Sequence, residues 1–443
     1  MTDTIYALAS GAGRAGIAVI RLSGPAAREA LAALTPGKPL PGPRMASRRW
    51  LVDPATGEKL DDGVVLLFPG PASYTGEDVV ELQIHGGAAS IAAVTAVLAL
   101  LPGCRPAGPG EFTRRAVLAG RMDLTEAEGL IDLIEAESEA QRRQALRQAG
   151  GALGQLYDGW RAQLIRALAL IEASIDFVEE EDIPADIAST ARPILDRLEA
   201  EMAAHLADGA RGERLRRGLE IAIIGPPNAG KSSLLNALAQ REAAIVSDIP
   251  GTTRDVVEAR LVLAGVPVTL ADTAGLRETA DRIEAEGVRR ALARAEEADL
   301  TLLVLDGTAP LPDGVLARLP ARRVVLRSKA DLPQAGWSWP VPGEEIIPLS
   351  LRAGDGLESL KGRLRADVLH LAGVGDAPGI TRARHRDAVS SALAAIRAAA
   401  RTGLPELAAE ELRQAARALG RVTGRVDVED LLDVIFREFC VGK

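Results

Sequence analysis

Along residues 1–118, short apolar runs such as Ile17-Ala18-Val19-Ile20 and Val64-Val65-Leu66-Leu67-Phe68 sit between many Gly and Pro turns. That alternation predicts strands and a compact α+β domain. From about Asp123 the spacing changes, and stretches rich in Ala, Leu, Glu and Arg run through Glu179 with apolar positions at helical intervals. Leu124, Ala127, Leu130, Ile131 and Ile134 form one such stripe, most simply a helix–helix core contact. Around Leu219 the strand-type runs return and alternate with helical segments to about Leu371, the pattern of an α/β sheet with crossover helices. Beyond a linker at 373–379 the chain reads as helical again over 388–400, 406–419 and 428–439. Helices flank the α/β block on both sides, so the economical architecture is one helical domain, built from both flanks, with that block inserted. The expected boundaries are 1–118 for the N-terminal domain, 119–214 and 372–443 for the two helical parts, and 215–371 for the insert. The fold class is therefore multidomain, α+β and α/β.

Length agrees, since 443 residues exceed one ordinary core and suggest roughly two to four domains. With 47% apolar and 26% charged residues, the apolar segments are repeatedly broken by charge, and nothing approaches a membrane span. The opening Met1-Thr2-Asp3-Thr4-Ile5 lacks a basic region followed by an apolar stretch, so no secretory leader is expected and the expected location is cytoplasmic. Cys104 and Cys440 cannot build a disulfide framework and do not form a metal-binding spacing. The net charge of −9 argues against a general polyanion-coating surface. Local basic clusters could still meet RNA: Arg44, Arg48 and Arg49; Arg211, Arg214, Arg216 and Arg217; Arg382, Arg384 and Arg386. Taken singly, each also reads as a solvated face or linker.

The informative chemistry lies in the insert. Leu219-Glu220-Ile221-Ala222-Ile223-Ile224 predicts a strand running into Gly225-Pro226-Pro227-Asn228-Ala229-Gly230-Lys231-Ser232, a complete P-loop pattern followed by a helix-forming run from Ser233. Backbone N–H groups of such a loop surround phosphate oxygens with the help of the helix N-terminus, and Lys231 adds a point charge at the β- and γ-phosphates. Ser232 is placed to ligate magnesium. A bare Gly-rich turn is usually only a turn; the full pattern between strand and helix carries the phosphate-binding reading. Val266-Pro267-Val268-Thr269-Leu270-Ala271 predicts a second strand, ending at Asp272-Thr273-Ala274-Gly275. There Asp272 can hold magnesium through water and the Gly275 N–H can sense a γ-phosphate. Between the two lies Gly251-Thr252-Thr253-Arg254-Asp255, a polar switch-like segment in which Thr253 is the candidate second protein ligand of magnesium. Ser247, Asp248, Ile249 and Pro250, just ahead of it, complete the expected GTP contacts.

Base choice is assigned to Ser328-Lys329-Ala330-Asp331, after the strand Val324-Val325-Leu326. The Asp331 carboxylate can accept two hydrogen bonds from the N1–H and exocyclic amino group of guanine, which adenine cannot supply. GTPases usually begin this motif with Asn, and the shorter Ser328 should make fewer contacts, weakening affinity rather than specificity. Ser350-Leu351-Arg352, after Ile346-Ile347, fills the loop that covers the base edge. Leu351 replaces the more usual Ala at a contact normally made by backbone.

This set of motifs resembles the TRAFAC-class GTPases, with a Ras-like P-loop domain. Three further stretches resemble the MnmE (TrmE) family of tRNA-modifying GTPases: Tyr74-Thr75-Gly76-Glu77-Asp78 through Glu81-Leu82-Gln83-Ile84-His85-Gly86-Gly87; Pro109-Gly110-Glu111-Phe112-Thr113 through Asp123-Leu124; and Phe439-Cys440-Val441-Gly442-Lys443. The resemblance implies an N-terminal domain that binds 5-formyltetrahydrofolate (or methylene-tetrahydrofolate as one-carbon donor) and makes a homodimer, with Arg21, Glu81, Arg121 and Lys443 at the matching folate positions. Glu81 suits the pterin amide and amino groups, and the arginines suit glutamate carboxylates. Arg121 stands where Lys is common in the family. Without the family, Glu81 reads as a solvated strand residue and His85, before two glycines, as a turn residue.

The same resemblance implies a potassium ion held by Asn228, Ser247, Ile249 and Thr252, offsetting charge on the transferring phosphoryl group as an arginine finger does elsewhere. Leu276 occupies the place of the catalytic Gln of Ras-type proteins, and Glu284 matches the family's water-orienting position. Taken by itself Glu284 is one acid on a charged helix over 281–290. Cys440, by itself a small apolar residue near a chain end, matches a cysteine the family needs for tRNA modification. The implied function is GTP hydrolysis coupled to adding a carboxymethylaminomethyl or aminomethyl group at C5 of the wobble uridine (U34) of certain tRNAs, with the FAD-dependent partner MnmG. Two alternatives stand beside it. A switch in ribosome assembly, as in the Der and Era families, would need a second GTPase domain or a KH-like module, and the sequence shows neither. A scaffold whose nucleotide site only controls dimerisation is disfavoured by the folate-type positions and the Cys440 tail.

Overall fold

A computed structural model describes residues 3–11, 13–176, 187–241, 257–272, 293–310, 322–336, 344–373, 375, 378–426, 432, 435–436 and 439–442. The chain forms two compact units: 1–131, 148–176 and 405–443 make the first; 132–147 and 177–404 make the second.

In the first unit six strands form one sheet in the order β3-β4-β5-β2-β1-β6. They are β1 (Thr4–Leu8), β2 (Ala15–Ser23), β3 (Ser47–Val52), β4 (Lys59–Phe68), β5 (Val79–Gly86) and β6 (Cys104–Pro106). In β4 alternate residues Asp61, Gly63, Val65 and Leu67 turn inward, the period-2 pattern of a half-buried strand. Helices α1 (Ala27–Leu34) and α2 (Ala88–Leu100) supply Leu31, Leu34, Val94 and Leu98 to the same core as Ile20, Leu22 and Leu82. Helix α3 (Glu111–Leu118) instead buries Phe112 with Ile5 and Ala7.

Helix α4 (Leu124–Glu135) confirms the expected stripe only in part. Leu124, Ala127 and Ile131 are buried with Leu432, Ile435, Phe436 and Phe439, but Ile134 is exposed. The stripe outruns the surface available to cover it. Helices α6 (Ala152–Asp176) and α11 (Pro405–Thr423) pack together and share the Arg413–Glu172 ion pair at 2.7 Å.

The second unit carries the other sheet, ordered β12-β11-β10-β7-β9-β8. Its strands are β7 (Leu219–Ile224), β8 (Val257–Leu263), β9 (Val266–Asp272), β10 (Leu300–Asp306), β11 (Arg323–Ser328) and β12 (Ile346–Pro348). All pairings are parallel except the β8–β9 hairpin. Strand β10 is buried from Leu300 through Leu305, as a parallel strand covered on both faces must be. Helices α8 (Lys231–Arg241) and α9 (Leu357–Ala372) bring Leu234, Leu238, Leu360, Leu364 and Val368 to one face of this sheet. Helices α7 (Arg192–Arg217) and α10 (Ala383–Arg401), and α5 (Glu139–Ala149) as far as Arg147, also belong to this unit. No helix among the described residues is long and apolar enough to cross a membrane.

Candidate functional site

Register places the chemistry at one edge of the second sheet. Ile224 lies beside Leu303, Asp272 beside Ile223, and Asp306 beside Ser328. The C-terminal ends of β7, β9, β10 and β11 thus converge, the edge where open α/β sheets bind ligands. The strand β7 leaves this edge through Gly225, where a Cβ would collide with the Val304 carbonyl, so only glycine lets the chain turn so close to β10. Asn228 holds φ +60°, a left-handed conformation that Asn tolerates better than most residues. Helix α8 then begins at Lys231, whose Nζ donates to the carbonyl oxygens of Gly225 and Pro226 at 2.9 and 2.8 Å. Lys231 is only 6% exposed, and its ammonium is held against the loop it is expected to serve. Ala229 is buried, whereas Asn228, Ser232 and Ser233 are exposed on the loop and the first turn. An exposed hydroxyl at Ser232 fits a hard cation that takes oxygen ligands.

The base loop follows β11. Asp331 is exposed, and its Oδ1 accepts from Ser350 Oγ at 2.7 Å. That hydrogen bond holds the Asp331 carboxyl below its ordinary value, keeping it an acceptor. The buried Ser350 hydroxyl also accepts from Ala353 N–H at 3.0 Å, and Ala330 N–H donates to Leu349 O at 3.1 Å. The two loops are therefore joined. Leu351 packs against the core of the unit while Arg352 is exposed. Ser328 does not face the loop: its Oγ donates to Leu305 O at 3.0 Å, inside the sheet. Lys329 Nζ lies 2.5 Å from Asp306 Oδ2. Burial pushes the Asp306 carboxyl up, but Lys329 and Thr308 outweigh it and the net shift is downward. Sequence reading missed Asp306; its signal was an acid closing an apolar strand beside the base motif. Ser247, Asp248, Ile249, Pro250, Gly251, Thr252, Thr253, Thr273, Ala274, Gly275 and Glu284 lie outside the described residues.

In the first unit Arg21 and Glu81 face each other across β2 and β5, with Arg21 Nε and Nη2 donating to Glu81 Oε1 at 3.1 and 2.9 Å. The Arg21 guanidinium lies 5.3 Å from the Tyr74 ring and 5.9 Å from that of Phe112, within cation–π range. Arg121 donates to Ser73 O at 3.2 Å. The tail comes to the end of β1 and to the residues just before α3: Val441 bridges Pro109, Gly110 N–H reaches Cys440 O at 3.4 Å, and Gly442 lies so close to Leu8 that a Cβ would strike its carbonyl. Arg21 is opposite Ala7, one residue before Leu8. Cys440 is exposed, and Lys443 lies outside the described residues.

Two expectations change here. His85 is a strand residue of β5, not a turn residue, because Asp61 on β4 accepts from both its backbone N–H and its Nδ1 at 3.0 and 2.6 Å. Glu81 is an ion-pair partner rather than a solvated strand acid. The basic clusters are largely neutralised: Arg48 pairs with Asp62, Arg211 with Asp208, Arg214 and Arg217 with Asp299, Arg216 and Arg382 with Asp132. A cavity of about 550 Å³, lined by Gln141, Arg216, Gly218, Arg260, Pro267 and Thr269, opens at the starts of β7 and β9, opposite the nucleotide edge.

A phosphate loop between strand and helix, an acid one strand away and a carboxylate-bearing base loop at the same edge define a P-loop GTPase. Comparison with known proteins narrows the class. Residues 4–121 match the family described as "GTP-binding protein TrmE N-terminus" and residues 124–440 match "MnmE helical domain". Proteins named tRNA modification GTPase MnmE are 59% identical in Parvibaculum lavamentivorans and 55% identical in Paramagnetospirillum magneticum, each match covering 100% of both chains. That of Rhodospirillum rubrum is 53% identical over 100% of this chain and 99% of its own. The G domain of the T. maritima FeoB iron transporter aligns at 25% identity over 35% of this chain and 98% of its own, with a TM-score of 0.25, too loose a match to carry weight. The chain belongs to the MnmE family of tRNA modification GTPases.

Proposed function

We propose that this GTPase drives the addition of a carboxymethylaminomethyl or aminomethyl group to C5 of wobble uridine in tRNA. It would act in the cytoplasm as a homodimer with the flavoprotein MnmG. The division of labour follows the boundaries 1–118, 119–214 with 372–443, and 215–371. The observation that carries the nucleotide half is the convergence of Lys231, Ser232, Asp272 and Asp331 on one sheet edge. Lys231 leaves its carbonyl partners for the phosphates, Ser232 and Thr253 hold magnesium, and Asp331 reads guanine. When bound, magnesium supplies charge neutralisation at the phosphoryl group. Asn228, Ser247, Ile249 and Thr252 hold potassium, and Glu284 orients the attacking water.

The tRNA half rests on Arg21, Glu81, Arg121 and Lys443 as the folate set and on Cys440 in the tail. The aromatic walls of Tyr74 and Phe112 around Arg21, and the return of residues 440–442 to Leu8 and Pro109, support that reading. Turnover of GTP in potassium and in sodium at equal ionic strength tests the nucleotide half. Faster hydrolysis in potassium is expected, with Asn228→Ala flattening the difference while nucleotide still binds. Equal rates in both salts for the unaltered protein would remove the cation role.

A further inference from the structure

We propose that Gln334 is a positioning residue for guanine recognition, bracing the base loop in the way that Ser328 is too short to do; this rests on reading 328–331 as the base site. Ser328 spends its hydroxyl on the Leu305 carbonyl inside the sheet, and Lys329 spends its ammonium on Asp306. Neither side chain stiffens the turn that presents Asp331. That turn runs from Lys329, at φ +55°, to Leu332, and is closed by the Leu332 N–H donating to Lys329 O at 3.0 Å.

Gln334 Nε2 donates to the same Lys329 carbonyl at 2.8 Å and to Leu332 O at 2.7 Å. Both amide protons are used, so the amide orientation is fixed and both ends of the turn are held at once. Its Oε1 lies over Gly307, where any Cβ would collide with it. The segment behind it is anchored too: Ala335 N–H donates to Gly307 O at 2.7 Å, Arg327 Nη2 to Ala335 O at 2.8 Å, and Gly307 N–H to Ser328 O at 3.1 Å. Asp331 therefore sits within a hydrogen-bonded ring running from Gly307 through Ser328, Lys329, Gln334 and Ala335 back to Gly307. Gln334 itself is exposed, so truncating it removes no core packing.

A bidentate contact is sensitive to such bracing, because a carboxylate that swings loses one hydrogen bond before the other. Inosine diphosphate lacks the exocyclic amino group and makes only one of the two, so it is the diagnostic probe. In the full chain, Gln334→Ala should weaken GDP binding roughly 5- to 10-fold, inosine diphosphate binding less, and so contract the ratio between them. With GTP the change should fall on KM, with kcat at saturation kept within about twofold. Gln334→Glu, equal in length but without amide donors, should lose as much. In a Ser328→Asn background the effect of Gln334→Ala should largely disappear. An unchanged ratio for Gln334→Ala, or an equal loss with and without Ser328→Asn, would overturn the assignment. Failure of the underlying base-site reading looks different: Asp331→Asn would then keep its preference for guanine over xanthine nucleotides whatever stands at 334.

Discussion

At the scale of single residues, specificity turns on Asp331. Its carboxylate offers acceptors only, and the Ser350 hydroxyl holds it ionised. Asp331→Asn presents one donor and one acceptor, so preference should move toward xanthine nucleotides, whose 2-position carries oxygen. Unchanged GTP affinity in that variant would count against the base site. The sign with pH follows from the downward shift: a depressed carboxyl is ionised above its folded value, so guanine preference should persist through mildly acidic pH and fade only as pH drops through that lowered value. Titration of GDP affinity checks this. The motif itself was legible in the sequence, as was the departure at Ser328. Where the Ser328 hydroxyl goes was not, since Leu305 lies on a neighbouring strand 23 positions away. The same limit hid the Asp61 partner of His85 on β4.

Among elements, the family-type stretches 74–78 and 109–113 have a local reason to exist. Arg115 on α3, 2% exposed, donates to Asp3 O and Oδ1, to both Glu77 oxygens and to Glu111 Oε1, all between 3.0 and 3.2 Å. Tyr74 Oη and Thr113 Oγ1 are 2.8 Å apart, and Ser23 Oγ donates to Glu77 Oε2 at 2.7 Å. One guanidinium thus joins the segment before β1, the loop before β5 and α3. Removing a buried charge leaves its partners uncompensated and typically costs ~3–5 kcal/mol. The Asp3, Glu77 and Glu111 side chains keep some solvent contact, so Arg115→Met should fall near the lower end, about 3 kcal/mol. Denaturant unfolding measures it; a loss below about 1 kcal/mol would mean the carboxylates are solvated without help. Periodicity located α4 but overextended its buried face to Ile134, because spacing alone cannot say where the covering element stops.

Over the whole molecule, the strand-then-helix order of 219–371 was readable, since parallel strands and crossover helices leave distinct patterns. The distribution of flanking helices between two units was not: α6 and α11 fall in the first and α7 and α10 in the second, and an apolar stripe does not say which partner will cover it. The tail was legible as an apolar run, and Phe436 and Phe439 are indeed buried. Its return to Leu8 and Pro109 depends on Gly110 and Gly442, which admit close backbone approach. Because the tail and the P-loop lie in different units, removing residues 440–443 should leave GTP hydrolysis within about twofold and abolish wobble-uridine modification. Loss of GTPase activity in the folded truncation, or retained modification, would reassign the tail.

The central claim, that nucleotide turnover here serves tRNA chemistry, is tested most directly by mass analysis of wobble nucleosides from cells lacking this protein. C5-modified uridine should disappear, return when the intact chain is supplied, and stay absent when Lys231→Ala is supplied instead. Unaltered modification in the deleted cells, or full rescue by Lys231→Ala, would contradict it.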